Sequence, residues 1–158
     1  SPEKDHAKLI EAFAEVNRMN PQACLYILGD GALKNTLQRL INSLGLKNSV
    51  FLMGALNQPF QFVNMCDCFV LSSNYEGQGL AVLEALTLQK TVISTDIPGP
   101  RGILQNNLGM LVENSKEGLV DGMNRFINEK PTYDTFDYVA YNEQALHAFY
   151  EKVCGISS

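Results

Sequence analysis

The sequence predicts an α/β protein with a doubly wound parallel sheet, and two observations lead to this prediction. Strand-like runs such as residues 25–28 and 68–71 are continuously apolar, as expected for parallel strands that helices cover on both faces. These runs alternate with segments of helical periodicity, joined by short connections, along most of the chain. Because such sheets bind ligands beyond the carboxyl ends of their strands, we expect functional residues in the turns that follow the strands.

The predicted elements alternate from the first helix to the last. Apolar residues at helical spacing predict helices at residues 4–18, 33–45, 59–66, 79–89, 100–107 and 115–129. Short apolar runs ended by turn residues predict strands at residues 23–28, 49–54, 68–73, 91–95 and 108–113. We therefore assign residues 1–130 to one α/β domain and residues 131–158 to a C-terminal tail.

The predicted tail differs in character from the domain. It opens with an irregular aromatic stretch that contains Tyr133, Phe136, Tyr138 and Tyr141. It continues with a predicted amphipathic helix whose apolar stripe is formed by Leu146, Phe149, Tyr150 and Val153.

Composition excludes several classes of protein. The 158 residues are 46% hydrophobic, which suits one globular domain. A net charge of −5 and a pI near 5.0 give no basic surface for nucleic acid. No apolar run approaches the roughly 20 residues of a membrane-spanning helix. The opening stretch "SPEKDH" reads as a cut made inside a larger protein.

The four cysteines and two histidines do not have the spacing of a metal site. Cys66 and Cys68 flank a single aspartate, and zinc sites need paired cysteines two to four residues apart with further ligands. We therefore predict no metal and reduced thiols in a cytosolic protein.

The stretch "EGQGLAVLE", residues 76–84, is the strongest candidate for a binding site. The helix that it opens is apolar on nearly every side, so we expect it to be buried and Glu84 to be partly desolvated. If the whole interval were helical, Glu76 and Glu84 would lie ~12 Å apart, which suits an extended ligand. The glycines between them let a ligand approach free backbone amides, which attract phosphate. A nucleotide-sugar has this order of hydroxyl, phosphate and hydroxyl groups.

A structural reading of the same residues stays open at this point. Glu76 could be a first-turn residue that the helix dipole favours. Glu84 could pair with an arginine such as Arg101.

The segment "FVLSSNYEGQGLAVLEAL" resembles the C-terminal donor-binding domain of the retaining GT-B glycosyltransferases of family 4, in which two glutamates separated by seven residues follow a strand. The stretches "SPEKDHAKLIEAFA", "LYILGDGALKNTLQRLINSLGLKNSVFLMG" and "KTVISTDIPGPRGIL" are similar to that family in order and spacing, so the resemblance extends to about residue 129. It implies a Rossmann-like half of a GT-B enzyme. It also implies the transfer of a hexose or similar sugar to a glycan, lipid or cell-envelope acceptor.

The resemblance implies a role for each candidate residue. Glu76 would bind the donor sugar near its reacting carbon, and Lys4 would neutralise the leaving diphosphate, so both are predicted catalytic residues. The predicted donor-binding residues are Glu84 at the ribose, the backbone of Gly77, Gln78, Gly79 and Leu80 at the diphosphate, and the turns of Gly29, Gly31 and Met53 near the nucleobase and ribose. No cofactor or metal is implied beyond the donor itself, which we take to carry UDP.

Two departures from the family pattern limit these expectations. The family's first strand, with the glycine and arginine that follow it, has no counterpart here, nor does the N-terminal acceptor domain. We therefore predict that this chain alone is inactive and that the acceptor domain of the same parent protein is its partner, against which the aromatic tail would pack. The loop "DIPGPRGIL" also lacks a glutamate that is common in the family, so the role of Arg101 stays open. The predicted location is the cytoplasm, with peripheral association of the parent protein at the inner face of the membrane as a further expectation.

Two other classes of function compete with this prediction. The first is a non-catalytic module of the same fold that binds a nucleotide or a partner. The second is a dinucleotide-binding oxidoreductase domain, which we reject because "GDGALK" lacks the final glycine of the G-x-G-x-x-G motif.

Overall fold

The computed structural model describes residues 2–143, and its element order matches the predicted one. A 3-10 turn at Pro2–Lys4 precedes six helices and five strands between His6 and Glu129. The helices are α1 (His6–Met19), α2 (Lys34–Ser43), α3 (Pro59–Asn64), α4 (Leu80–Thr87), α5 (Pro98–Leu104) and α6 (Lys116–Glu129). The strands are β1 (Leu25–Leu28), β2 (Val50–Gly54), β3 (Cys68–Leu71), β4 (Thr91–Thr95) and β5 (Met110–Val112).

All strand pairs within the described sheets are parallel, so the predicted fold class is confirmed. The strands form two sheets instead of one: β1 pairs with β2, and the other sheet has the order β3-β4-β5. No ladder of hydrogen bonds joins β1 to β3, so the two sheets remain separate.

Both faces of the β3-β4-β5 sheet are covered, as the continuously apolar strands predict. Val92 and Ile93 are neighbours on β4 and fully buried, and since successive strand residues point to opposite faces they enter different cores. Ile93 joins a core built mainly by α1, α2, α6 and both sheets, whereas Val92 joins one built by α4 and α5. The second core includes Phe136, so the described part of the tail packs on this domain.

The stretch that contains the tail aromatics is more regular than predicted. Residues 138–143 are helical, and the Asp137 carboxylate accepts a hydrogen bond from the Ala140 amide at 3.1 Å, which caps this helix. Tyr138 and Tyr141 are thus helical and not irregular. The predicted amphipathic stripe from Leu146 to Val153 lies outside the described residues.

A cavity of about 520 Å³ separates β1 from β3. Its walls are largely apolar and include Ile27 of β1 and Val70 of β3. At one end it is lined by Lys4 and by Ser73, whose fully buried hydroxyl has no hydrogen-bond partner among the described residues. We call this cavity the inter-sheet gap.

Candidate functional site

The carboxyl ends of β1, β2 and β3 lie on one edge of the molecule. Lys4 lies near the ends of all three strands. Lys4 lines the inter-sheet gap beside Ser72, which directly follows β3. It also lines a smaller cavity of about 110 Å³ with Gly29, which follows β1, and with Gly54, the last residue of β2. Ligands of parallel α/β sheets bind at this edge.

Hydrogen bonds attach the backbone around Lys4 to the end of β3. The Ser72 hydroxyl donates to the Lys4 carbonyl oxygen at 2.7 Å. The Asn74 amide donates to the carbonyl oxygen of Glu3 at 2.7 Å. The loop that leads to Glu76 and the turn that carries Lys4 are therefore held together, which brings the two predicted catalytic residues to the same edge.

The loop between β3 and α4 is also attached to the next strand and its helix. The Thr95 hydroxyl donates to the Ser73 carbonyl oxygen at 2.6 Å. The Gly99 amide donates to the Glu76 carbonyl oxygen at 3.2 Å. Glu76 itself is half-buried at the centre of this arrangement.

The amides of Gly77, Gln78, Gly79 and Leu80 have no acceptor among the described residues. Gly79 is the N-cap residue of α4, and its φ of 70° is left-handed, a conformation that favours glycine. No side chain caps this helix end, so its free amides and positive dipole end are available to an anion. The contact of these amides with a diphosphate stays a prediction.

Glu84 is exposed, and the prediction that it is partly desolvated is wrong. It lies one turn into α4 from Leu80, which is 57% exposed, so both side chains share one open face. The prediction assumed that an apolar helix is buried on every side. Only Val82, Ala85 and Leu86 of α4 are buried, so the face of Glu84 stays open. The helical interval is also shorter than assumed, since α4 begins at Leu80, and the ~12 Å separation from Glu76 does not apply.

Arg101 pairs with Asp96, so the alternative of a Glu84–Arg101 pair is wrong. The Arg101 Nε lies 2.6 Å from Asp96 Oδ1, and both side chains are about half exposed. An exposed pair of this kind contributes little stability.

The turns after β1 and β2 lie together, since the Gly29 amide donates to the Gly54 carbonyl oxygen at 2.8 Å. Gly29 and Gly31 line the smaller cavity, but Met53 does not; its neighbour Gly54 takes that place. His6 also lines this cavity, and its only signal in the sequence is its position two residues after Lys4 in "EKDH". Burial lowers the pKa of His6, and the positive charge of Lys4 contributes to the shift.

Residues 2–143 contain neither a candidate metal cluster nor a candidate membrane span. No group of three or more histidine, cysteine, aspartate or glutamate side chains is placed to hold a metal ion there. No helix in the same range is both long and apolar enough to cross a bilayer.

The fold and this edge define a parallel α/β domain in which strand ends and the N-terminus of α4 lie on the same side. Residues 1–143 match the family described as "Glycosyl transferases group 1", and the chain belongs to that family.

Curated relatives are named glycosyltransferases. The chain is 53% identical over 97 residues to an uncharacterised glycosyltransferase of Methanocaldococcus jannaschii, covering 61% of this chain and 24% of the relative. It is 36% identical over 116 residues to a Campylobacter jejuni N-acetylgalactosaminyltransferase named for a diphospho-undecaprenol acceptor, covering 72% and 31% respectively. The chain thus spans about a quarter to a third of these relatives.

Solved structures confirm the GT-B relationship. The TarM structure of Staphylococcus aureus superposes with a TM-score of 0.76 and 29% identity, over 82% of this chain and 26% of TarM. The structure of Anabaena HepE in complex with UDP gives a TM-score of 0.78 and 25% identity, over 94% of this chain and 46% of HepE.

Proposed function

We propose that this chain is the C-terminal, donor-binding domain of a retaining glycosyltransferase of family 4. The observation that carries the proposal is the run of free amides from Gly77 to Leu80, placed between Glu76 and the exposed Glu84 and held beside Lys4. Backbone amides at a helix N-terminus suit a diphosphate. A carboxylate on each side suits sugar and ribose hydroxyls. The UDP complex of HepE supports a nucleotide as the ligand.

The exposure of Glu84 supports its proposed contact with ribose hydroxyls, although the sequence suggested a partly desolvated carboxylate instead. A carboxylate on an open helix face accepts hydroxyl groups without any change in the fold. Glu76 is half-buried and directly precedes the free amides in the chain, which supports its assignment to the reacting end of a donor. Lys4 supplies positive charge at the same edge, and the transfer then needs no metal.

Substrate and partner follow as parts of the same proposal. The donor is a nucleoside diphosphate sugar carrying UDP, and the sugar is a hexose or similar unit. The acceptor belongs to cell-envelope or other glycan synthesis, as the Campylobacter relative's name supports. An acceptor domain of the parent protein completes the site, so residues 1–158 alone do not catalyse transfer. We place the parent protein in the cytoplasm, peripherally associated with the inner face of the membrane.

The inter-sheet gap supports a further part of the domain assignment, namely that residues 1–130 lack one strand of the complete sheet. Lys4 lines the gap at the carboxyl ends of β1 and β3, so a parallel strand filling the gap would end beside Pro2 and lead directly into it. Its backbone would pair with both free edges, and a loop at its end would offer Ser73 a partner. Slower amide hydrogen exchange in β1 and β3, on extending the chain upstream of Pro2, is the expected result. Unchanged exchange in both strands would overturn the assignment.

Nucleotide binding tests the donor site. We expect ligand-observed NMR to detect UDP in preference to GDP, CDP and ADP, with or without a metal chelator. Glu84→Ala is expected to weaken UDP binding about 10- to 100-fold, the effect of a lost hydrogen bond to a charged group.

The matched control is Glu129→Gln. Glu129 is the last residue of α6, which starts at the carboxyl edge of the sheet and ends at the opposite edge. Glu129 makes only an exposed ion pair with Arg125, at 3.8 Å. Its loss should leave UDP affinity unchanged. Absence of binding to every nucleotide at millimolar concentration in the upstream-extended chain would favour the non-catalytic module instead.

A further inference from the structure

Three loops of the carboxyl edge meet at Lys8, in the first turn of α1. The Lys8 Nζ donates to Oδ1 of Asn74 at 2.7 Å and to Oδ1 of Asn114 at 2.5 Å. It also lies 3.4 Å from Oδ2 of Asp5. These partners follow β3, follow β5 and precede α1, respectively, so one ammonium group connects three separate segments.

Both polar atoms of the Asn74 side chain are hydrogen-bonded in this cluster. Its Oδ1 accepts from Lys8, and its Nδ2 donates to Oδ2 of Asp5 at 3.1 Å. Its backbone amide donates to Glu3 at 2.7 Å. The chain is therefore fixed at a point two residues before Glu76, although the surrounding loop carries little apolar packing.

Asp5 holds the other side of the cluster. Its Oδ1 accepts from the Lys8 amide at 3.2 Å and caps α1, and its φ of 46° is left-handed, which is costly for a residue other than glycine. Burial alone would raise its pKa, but hydrogen bonds from Asn74 and Lys8 and the charge of Lys8 outweigh it and hold the pKa below its ordinary value. The carboxylate is thus charged and bound in the folded protein.

We propose that Lys8 is a positioning residue of the donor site, which fixes Asn74 and through it the Glu76–Gly79 loop. This inference rests on the proposed donor-binding role of that loop. The Lys8 side chain is only 14% exposed, so its ammonium group is partly withdrawn from water, whereas the two asparagines that it bonds are exposed. It projects from a 14-residue helix that packs in the main core, which gives the loop a rigid support.

The test compares Lys8→Met with Lys116→Met. Methionine keeps much of the apolar length of the side chain and removes the ammonium group. Lys116 is the matched control because it also lies at a helix start and bonds one carboxylate, Glu15, at 3.2 Å, but contacts neither asparagine. Lys8→Arg keeps the positive charge and can donate to both asparagines.

The measurements are backbone amide NMR spectra and UDP titration of each variant. In Lys8→Met we expect the amide signals of residues 74–79 to shift or broaden while those of β5 and α6 beyond its first turn keep their positions. We expect UDP affinity to fall about 10-fold. Lys116→Met should change neither the loop signals nor the affinity, and Lys8→Arg should restore most of both. If Lys8→Met does not fold, Asn114→Ala removes one partner and should shift the same loop signals by a smaller amount.

The outcomes separate this inference from the proposed function. Unchanged loop signals in Lys8→Met overturn the inference whatever happens to UDP. Shifted loop signals with unchanged UDP affinity overturn it as well, because the loop would then be moved without effect on the site. If the upstream-extended chain binds no nucleotide, the proposed function fails, and the loop signals alone decide whether Lys8 fixes the loop.

Discussion

The Gly99 amide donates a hydrogen bond of 3.2 Å to the carbonyl oxygen of Glu76, and the two backbones approach so closely that a Cβ on Gly99 would overlap that oxygen. The start of α5 therefore lies directly against the loop that carries the predicted catalytic glutamate. Gly79 of the same loop also lies close to α5, since a Cβ there would be 2.8 Å from Cδ1 of Ile103. The segment that follows β4 thus contacts the loop of Glu76 through the backbone of Gly99 and the side chain of Ile103.

Gly99→Ala is expected to displace Glu76. The added methyl group must push the Glu76 carbonyl away, at a cost of about 1–3 kcal/mol in the free energy of unfolding. We also expect at least a 10-fold loss of UDP affinity, since both the carboxylate and the free amides next to it would move. Chemical denaturation and UDP titration measure the two effects.

Gly102→Ala is the matched control on the same helix. A Cβ at Gly102 would meet nothing within 4 Å, and the residue is exposed. Alanine there should be neutral or stabilising by up to ~1 kcal/mol through helix propensity. Equal effects of the two substitutions would contradict the close contact at Gly99.

The free energy of unfolding of the domain should decrease through His6 as the pH falls below about 6.5, the ordinary pKa of histidine. Burial lowers the pKa of His6 in the folded protein, so the unfolded chain takes up the proton first. The contribution of neutral His6 is therefore fully present above that ordinary pKa and is lost as the pH falls through the lowered one. Unfolding measured at pH 7.5 and 5.5 should show a smaller loss of stability in His6→Gln than in the unaltered chain. An identical loss in both proteins would argue against burial of the neutral ring.

Cys68 is expected to resist alkylation. Burial raises its pKa to about 12, and Asp67 adds to the shift, so its thiolate is scarce at pH 8. Cys24 is exposed. Peptide mapping after iodoacetamide treatment should show Cys24 modified roughly a hundredfold faster or more. Comparable rates would mean that the inter-sheet gap, which Cys68 lines, opens in solution.

Ser73→Ala and Thr95→Val should have opposite effects on stability. The Ser73 hydroxyl is buried without a partner in the described part of the chain, so its removal should be neutral or stabilising by about 1 kcal/mol. Thr95→Val removes the 2.6 Å bond to the Ser73 carbonyl and should destabilise by about 1–3 kcal/mol. Thermal unfolding distinguishes them, and destabilisation by Ser73→Ala would show that its hydroxyl does have a partner.

Features carried by neighbouring residues were predictable from the sequence. The apolar run at residues 68–71 and the spacing of Leu37 and Ile41 indicate a strand and a helix because the pattern follows backbone geometry. The position of Glu76 between a buried strand and a helix was predictable for the same reason.

Features that depend on what lies across the fold were not predictable in this way. Glu84 was expected to be desolvated because its helix is apolar, yet no element covers that face in the described structure. Arg101 finds its partner five residues away at Asp96 and not on α4. The cluster around Lys8 joins residues 66 and 106 positions distant, and no local pattern records such a separation.

The sequence by itself determined the order of elements, the parallel α/β class and the segment that holds the candidate donor site. These properties arise from short-range periodicity and from the glycines that a turn or a helix end requires. The tertiary structure decided which carboxylates are exposed, how the strands divide into two sheets around a gap, and how Lys8 and Gly99 hold the loop of Glu76. Each of these depends on distances between segments that only the packed chain brings together.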